Sequence, residues 1–77
     1  MDTLERIKKI ISEQLGCREE DIKPELSLED DLGADQLDLV EIEMAVEEAF
    51  EFGMTTEEEE SMKTVQDIIK IVEAHNK

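Results

Sequence analysis

The sequence predicts an all-α fold, a small four-helix bundle with three longer helices and one short helix. Apolar residues recur at helical spacing in three segments, and each segment follows a residue that favours a helix N-terminus. No segment shows the features of a β-strand. The 77 residues suffice for one domain with a small core, so we expect a single domain over residues 1–77.

The longest predicted helix covers residues 36 to about 50. Asp35 is a good N-cap, and Asp38 stands three residues on as a carboxylate form of the capping box. An unbroken apolar face predicts the core side and contains Leu39, Ile42, Val46, Ala49 and Phe50. The opposite side mixes apolar and acidic residues, namely Leu37, Val40, Glu41, Met44, Glu47 and Glu48. This second side is either solvated surface or a surface that docks on another protein, and we favour docking.

The first helix is predicted over about residues 3–15, with Asp2 or Thr3 at its start and Gly16 at its end. Residues 17–35 show no long periodic segment and form a long connection. Such a crossover allows two helices to lie side by side. Its apolar residues should pack over the bundle, and they are Ile22, Leu26, Leu28 and Leu32.

Two further helices are predicted after Gly53. A short one over about residues 57–61 would start with a capping box formed by Thr56 and Glu59. The last helix follows Thr64 as N-cap. Its core face should contain Val65, Ile68, Ile69 and Val72, with Ile71 off the centre.

The charge is concentrated in the middle of the chain. The net charge is −15, and between residues 24 and 62 there are 15 acidic residues and no Lys or Arg. Phosphates would be repelled, so nucleic acid is disfavoured as a partner. A basic protein surface is favoured, because opposite charges would steer the encounter. No apolar run reaches 18 residues, so we expect no membrane insertion.

Catalytic and metal sites are not indicated by the residues. An EF-hand loop starting at Asp30 would place Leu32 and Ala34 at ligand positions, so we expect no specific metal site. Carboxylates alone do not indicate a dry catalytic cleft, and we expect no enzymatic activity. Cys17 has no partner for a disulfide, and we expect a half-buried thiol in a reducing cytoplasm. His75 is expected in a frayed C-terminal tail, away from any thiol.

Residues 31–38 read Asp-Leu-Gly-Ala-Asp-Gln-Leu-Asp and precede an acidic helix. This stretch resembles the acyl carrier protein family of the bacterial type, and the resemblance covers almost the whole chain, including residues 8–16 and 64–66. It implies a four-helix bundle with a cavity for an acyl chain, and a carrier that shuttles acyl intermediates of fatty acid biosynthesis between enzymes. The matching cavity positions are Leu28, Ile42, Val46, Met54, Met62, Ile68 and Val72. Because this chain has no residue to tether an acyl chain, we favour plain core packing for them.

One position departs from the family. The family attaches 4′-phosphopantetheine to the serine of an Asp-Ser-Leu motif, and this chain has Gln36 there. An amide offers no hydroxyl for the phosphodiester, so no covalent cofactor is expected and the chain should stay in the apo form. The chain is either an engineered form that keeps the apo state or a natural paralogue that has lost the group, and both origins remain open.

The resemblance also implies a docking surface at the start of the acidic helix. The matching positions are Asp35, Leu37, Asp38, Val40, Glu41, Met44, Glu47 and Glu48. The implied partners are basic surfaces of fatty acid synthesis enzymes and the phosphopantetheinyl transferase, and we expect a monomer. An alternative is a non-carrier adaptor that docks on basic enzyme surfaces and regulates them.

Overall fold

The computed structural model describes residues 2–76, which form an all-α bundle as predicted. The helices are α1 (Thr3–Leu15), α2 (Gln36–Phe50), α3 (Thr56–Ser61) and α4 (Val65–His75). A short 3-10 turn, Glu19–Asp21, lies in the first connection. No β-strand occurs among the described residues, apart from an isolated bridge between Ser27 and Thr64. None of the described helices is long and apolar enough to cross a membrane.

The ends of α1 follow from two local features of the sequence. The Asp2 carboxylate accepts a hydrogen bond from the Glu5 backbone N–H at 2.8 Å, so Asp2 is the N-cap. Gly16 adopts a left-handed conformation with φ of 74°, and its N–H donates to the Ser12 carbonyl at 2.8 Å. A residue without a side chain adopts this conformation readily, which ends the helix at the predicted place.

The capping box of α3 lies one residue earlier than the sequence indicated. The Glu58 N–H donates to the Thr55 hydroxyl at 3.1 Å, and the Thr55 N–H donates to the Glu58 carboxylate at 3.0 Å. The prediction of Thr56 and Glu59 is therefore wrong. Two threonines followed by four glutamates allow the same spacing at two registers, so the motif alone did not fix the start.

The long connection packs on the bundle as predicted and is tied to the start of α4. The backbone N–H groups of Val65 and Gln66 donate to the carbonyls of Leu26 and Pro24, at 3.1 and 2.8 Å. Ile22 and Leu28 are fully buried, whereas Leu26 and Leu32 are half-buried. Because these apolar side chains insert among the helices, the connection forms part of the core.

The buried core draws on α1, α2, α4 and the connections between helices. Ile71 is also buried, so the core face of α4 is wider than its sequence pattern indicated. Of the positions that match the family's acyl-chain cavity, all are buried except the half-buried Met54, and they pack as ordinary core. The fully buried large side chains are Ile7, Ile11, Ile22, Leu28, Ile42, Val46, Val65, Ile68 and Val72.

His75 does not lie in a frayed tail, contrary to the sequence-based expectation. It ends α4, and its Nε2 atom is 2.9 Å from a carboxylate oxygen of Glu58 on α3. Its ring stacks on Phe52, with ring centroids 4.4 Å apart. These two contacts order the last turn, because they join it to α3 and to the connection that precedes α3.

Candidate functional site

The candidate site is centred on Gln36, the first residue of α2. Gln36 is exposed and follows the N-cap Asp35. The N–H groups of a helix's first turn have no intrahelical acceptor, and the helix dipole is positive at this end. Such a position suits a bound or attached phosphate. The side chain present carries an amide rather than a hydroxyl, so it does not fit covalent attachment of a phosphate ester.

A reciprocal capping box holds the backbone on both sides of Gln36. The Asp38 N–H donates to Asp35 Oδ1 at 2.8 Å, and the Asp35 N–H donates to Asp38 Oδ2 at 3.2 Å. The predicted start of α2 and its capping box are confirmed. Upstream, the Ala34 N–H donates to the Leu28 carbonyl at 2.8 Å, which holds the approach to the helix. These hydrogen bonds hold the backbone in place on both sides of residue 36.

The other oxygen of Asp38 contacts a different helix. Gln14 Nε2, on α1, donates to Asp38 Oδ1 at 3.2 Å. Two hydrogen bonds hold the pKa of the Asp38 carboxyl below its ordinary value. The bond from the Asp35 N–H has the larger effect, and the bond from the Gln14 amide has the smaller one. No sequence pattern indicated a role for Gln14, because its partner lies 24 residues further along the chain.

Three large apolar side chains stand exposed beside Gln36 on α2. Leu37 is 67% exposed, Val40 42% and Met44 61%, and within residues 2–76 they are the only exposed large hydrophobic residues. Leu37, Val40 and Met44 share one side of the helix because they are three and four residues apart. We call this side, with the exposed acids Glu41 and Glu48, the outer face of α2.

The acids predicted for docking differ in how available they are. Glu41 and Glu48 are exposed, whereas Glu47 is half-buried. Glu47 Oε2 accepts a hydrogen bond from the Met54 N–H at 2.8 Å. The Glu47 carbonyl also accepts from the Phe52 N–H at 3.1 Å. Glu47 thus stabilises the turn after α2, a role that its place in the helical pattern did not reveal.

Glu43 is a further acid that the sequence did not single out. It lies half-buried on α2, and its carboxyl hydrogen-bonds to Glu59 on α3. Burial, the bond to Glu59 and the charges of Glu59 and Glu47 raise the pKa of Glu43 to about 7. This carboxyl therefore holds a proton at a pH where free glutamate is ionised. No group of acids, His or Cys within the described chain is arranged to hold a metal ion.

Residues 5–72 match the model of a protein family described as phosphopantetheine attachment site. This match covers most of the chain and includes Gln36 and the outer face of α2. The chain belongs to this family. Its members are carrier proteins that bear phosphopantetheine rather than catalysts. The matched range includes the start of α2, where the Gln36 amide offers no hydroxyl for a phosphodiester.

Proposed function

We propose that this chain has the docking function of an acyl carrier protein of fatty acid biosynthesis and stays in the apo form. The observation that carries the proposal is the outer face of α2, an exposed apolar patch with acids around it, directly beside Gln36. Exposed apolar patches that are rimmed by polar residues mark interaction sites when they are large. The Gln36 amide provides no oxygen for a phosphodiester, so the chain would enter complexes without a tethered cofactor.

The partner surface follows from the chemistry of this face. Leu37 and Met44 would enter a shallow apolar pocket, and the unbranched side chain of Met44 would adapt to pockets of several shapes. Glu41 and Glu48 would face Lys or Arg at the pocket rim. Partners of this kind are the enzymes of fatty acid biosynthesis and the phosphopantetheinyl transferase. Charges at the rim act mainly on the rate of association, which should fall as salt rises.

A second candidate function is a non-carrier adaptor that docks on the same basic surfaces and regulates those enzymes. Gln36 favours the adaptor function, because a chain that cannot receive phosphopantetheine still presents the whole outer face of α2. We place this chain, in either role, in the cytoplasm, where its single half-buried Cys17 would stay reduced.

The first experiment measures attachment. The chain is incubated with coenzyme A and a broad-specificity phosphopantetheinyl transferase, and its intact mass is determined. We expect no mass gain for Gln36 and one phosphopantetheine on Gln36→Ser, because the serine supplies the missing hydroxyl. A modified Gln36 chain would show attachment at another residue. An unmodified, folded Gln36→Ser chain would refute the proposed carrier origin of this site.

The second experiment measures docking of the Gln36 chain on the same transferase. Glu41→Lys combined with Glu48→Lys should weaken binding about tenfold or more, mainly by slowing association, and leave the helical content unchanged. The matched control is Glu5→Lys with Glu13→Lys, which makes the same charge change at exposed positions of α1. Equal losses in both double variants would show that total charge, rather than the outer face, governs binding.

A further inference from the structure

We infer that Gln14 is a positioning residue for the phosphopantetheine position, acting through Asp38. The inference rests on the proposed function, in which the chain docks on a transferase with residue 36 at the attachment position. Gln14 lies half-buried near the end of α1, and its amide reaches Asp38 in the first turn of α2. Within residues 2–76, this is the only hydrogen bond between side chains that joins α1 and α2.

The bond to Gln14 completes the hydrogen bonding of the Asp38 carboxylate. Oδ2 accepts from the Asp35 N–H at 3.2 Å, and Oδ1 accepts from Gln14 at 3.2 Å. A carboxylate with a donor on each oxygen has one preferred orientation. Without the amide, the Asp38 side chain could rotate and release the Asp35 N–H. That N–H belongs to the residue directly before Gln36, so losing its hydrogen bond would loosen the backbone at the attachment position.

The α1 helix thereby sets where the side chain of residue 36 points. The Leu28–Ala34 bond holds the approach to α2, and the Gln14–Asp38 bond holds its first turn against α1. In the Gln36→Ser protein, the serine oxygen would lose its proton and bond to the pantetheine-side phosphorus of coenzyme A, while the diphosphate P–O bond breaks and adenosine 3′,5′-bisphosphate leaves. This step needs the serine oxygen at close range and in one orientation. Loss of the Gln14 amide should therefore lower the kcat of the transferase with this chain as substrate. The KM for the chain should change less, since the outer face of α2 remains intact.

The experiment compares three α1 variants in the Gln36→Ser protein. Gln14→Met keeps the length of the side chain and removes its donor, whereas Gln14→Lys retains a donor. Glu13→Gln is the control, because it changes an exposed neighbour with no side-chain hydrogen bond in the described chain. We expect Gln14→Met to lower kcat about tenfold with KM changed less than about twofold. Gln14→Lys should restore most of kcat, and Glu13→Gln should leave it unchanged.

A second experiment measures the pKa of Asp38 and does not depend on transfer of phosphopantetheine. The Asp38 carboxyl is titrated by carbon NMR in the Gln36 chain with and without each substitution. Removing a donor to the charged form should raise the pKa of Asp38 in Gln14→Met. Glu13→Gln should change the pKa of Asp38 less than Gln14→Met does.

The outcomes separate the positioning role from the proposed function. An unchanged Asp38 pKa, an unchanged kcat, or a loss that follows the melting temperature and is not restored by Gln14→Lys would overturn the positioning role. A Gln36→Ser protein that is never modified, although Asp38 titrates as expected, would overturn the proposed function and the transfer role with it. A rescued loss of kcat together with the raised pKa establishes the inference.

Discussion

Replacing Glu43 by glutamine should stabilise the protein at neutral pH. Glu43 lies half-buried beside Glu59 and Glu47, and burial and these neighbours raise its pKa to about 7. The native state therefore holds a proton that the unfolded chain, with an ordinary Glu pKa of 4.5, releases. Because the native state binds more protons, the free energy of unfolding falls as pH rises from about 4.5 to about 7. An amide of the same shape does not carry this dependence.

The size of the gain follows from the two pKa values. The gap between 4.5 and about 7 sets an upper limit of about 3.4 kcal/mol above pH 7. The Glu43 carboxyl still contacts water, which screens its interaction with Glu59 and Glu47, so we expect a gain of about 1 kcal/mol. For a domain of this length, that corresponds to a rise of roughly 4–8 °C in Tm.

The assay is thermal unfolding followed by circular dichroism, at steps between pH 5 and pH 8. The control is Glu41→Gln, which removes one charge from an exposed position of the same helix. The advantage of Glu43→Gln over this control should be largest near pH 8 and shrink towards pH 5. An equal gain from both substitutions, or a gain independent of pH, would refute the link between burial, the Glu59 contact and stability.

Three further predictions concern the ends of helices and the overall charge. Glu51 ends α2 in a left-handed conformation with φ of 55°, so Glu51→Gly should raise the free energy of unfolding by about 0.5–1 kcal/mol in urea titrations. His75→Ala should lower it by about 0.5–1.5 kcal/mol through the lost stacking on Phe52, whereas Asn76→Ala should have little effect in the same titrations. Added salt, and magnesium more so, should raise Tm by reducing repulsion among the 15 acids between residues 24 and 62, and a flat Tm in calorimetry would contradict this.

The helices were predictable because each signal lies within a few residues of the boundary it sets. Asp2 and Gly16 limit α1, Asp35 begins α2 and Thr64 precedes α4, and each makes its cap within four residues. The start of α3 was misplaced for the same local reason, since Thr55 and Thr56 offer equivalent spacings to the glutamates that follow. Choosing between two such registers requires the packing of the rest of the chain.

The outer face of α2 was predictable and the network behind it was not. A helical period of 3.6 residues puts Leu37, Val40 and Met44 on one side, so their common exposure follows from sequence once the helix is known. The partners of Gln14 and Glu43 lie on other helices. Their contacts depend on how α1, α2 and α3 approach one another, which no spacing within a single helix encodes.

The acids of α2 fall into two groups with different roles. Asp38 binds Gln14 and the Asp35 N–H, and Glu47 binds the Met54 N–H, so both carboxylates stabilise the ends of the helix that presents the outer face. Glu41 and Glu48 are exposed and free to meet a partner's cations. Reversing the charge of Asp38 or Glu47 would therefore disturb folding and docking together. Reversal of Glu41 and Glu48 separates the two effects, because it changes the field of the outer face and leaves the hydrogen bonds at both ends of α2 in place.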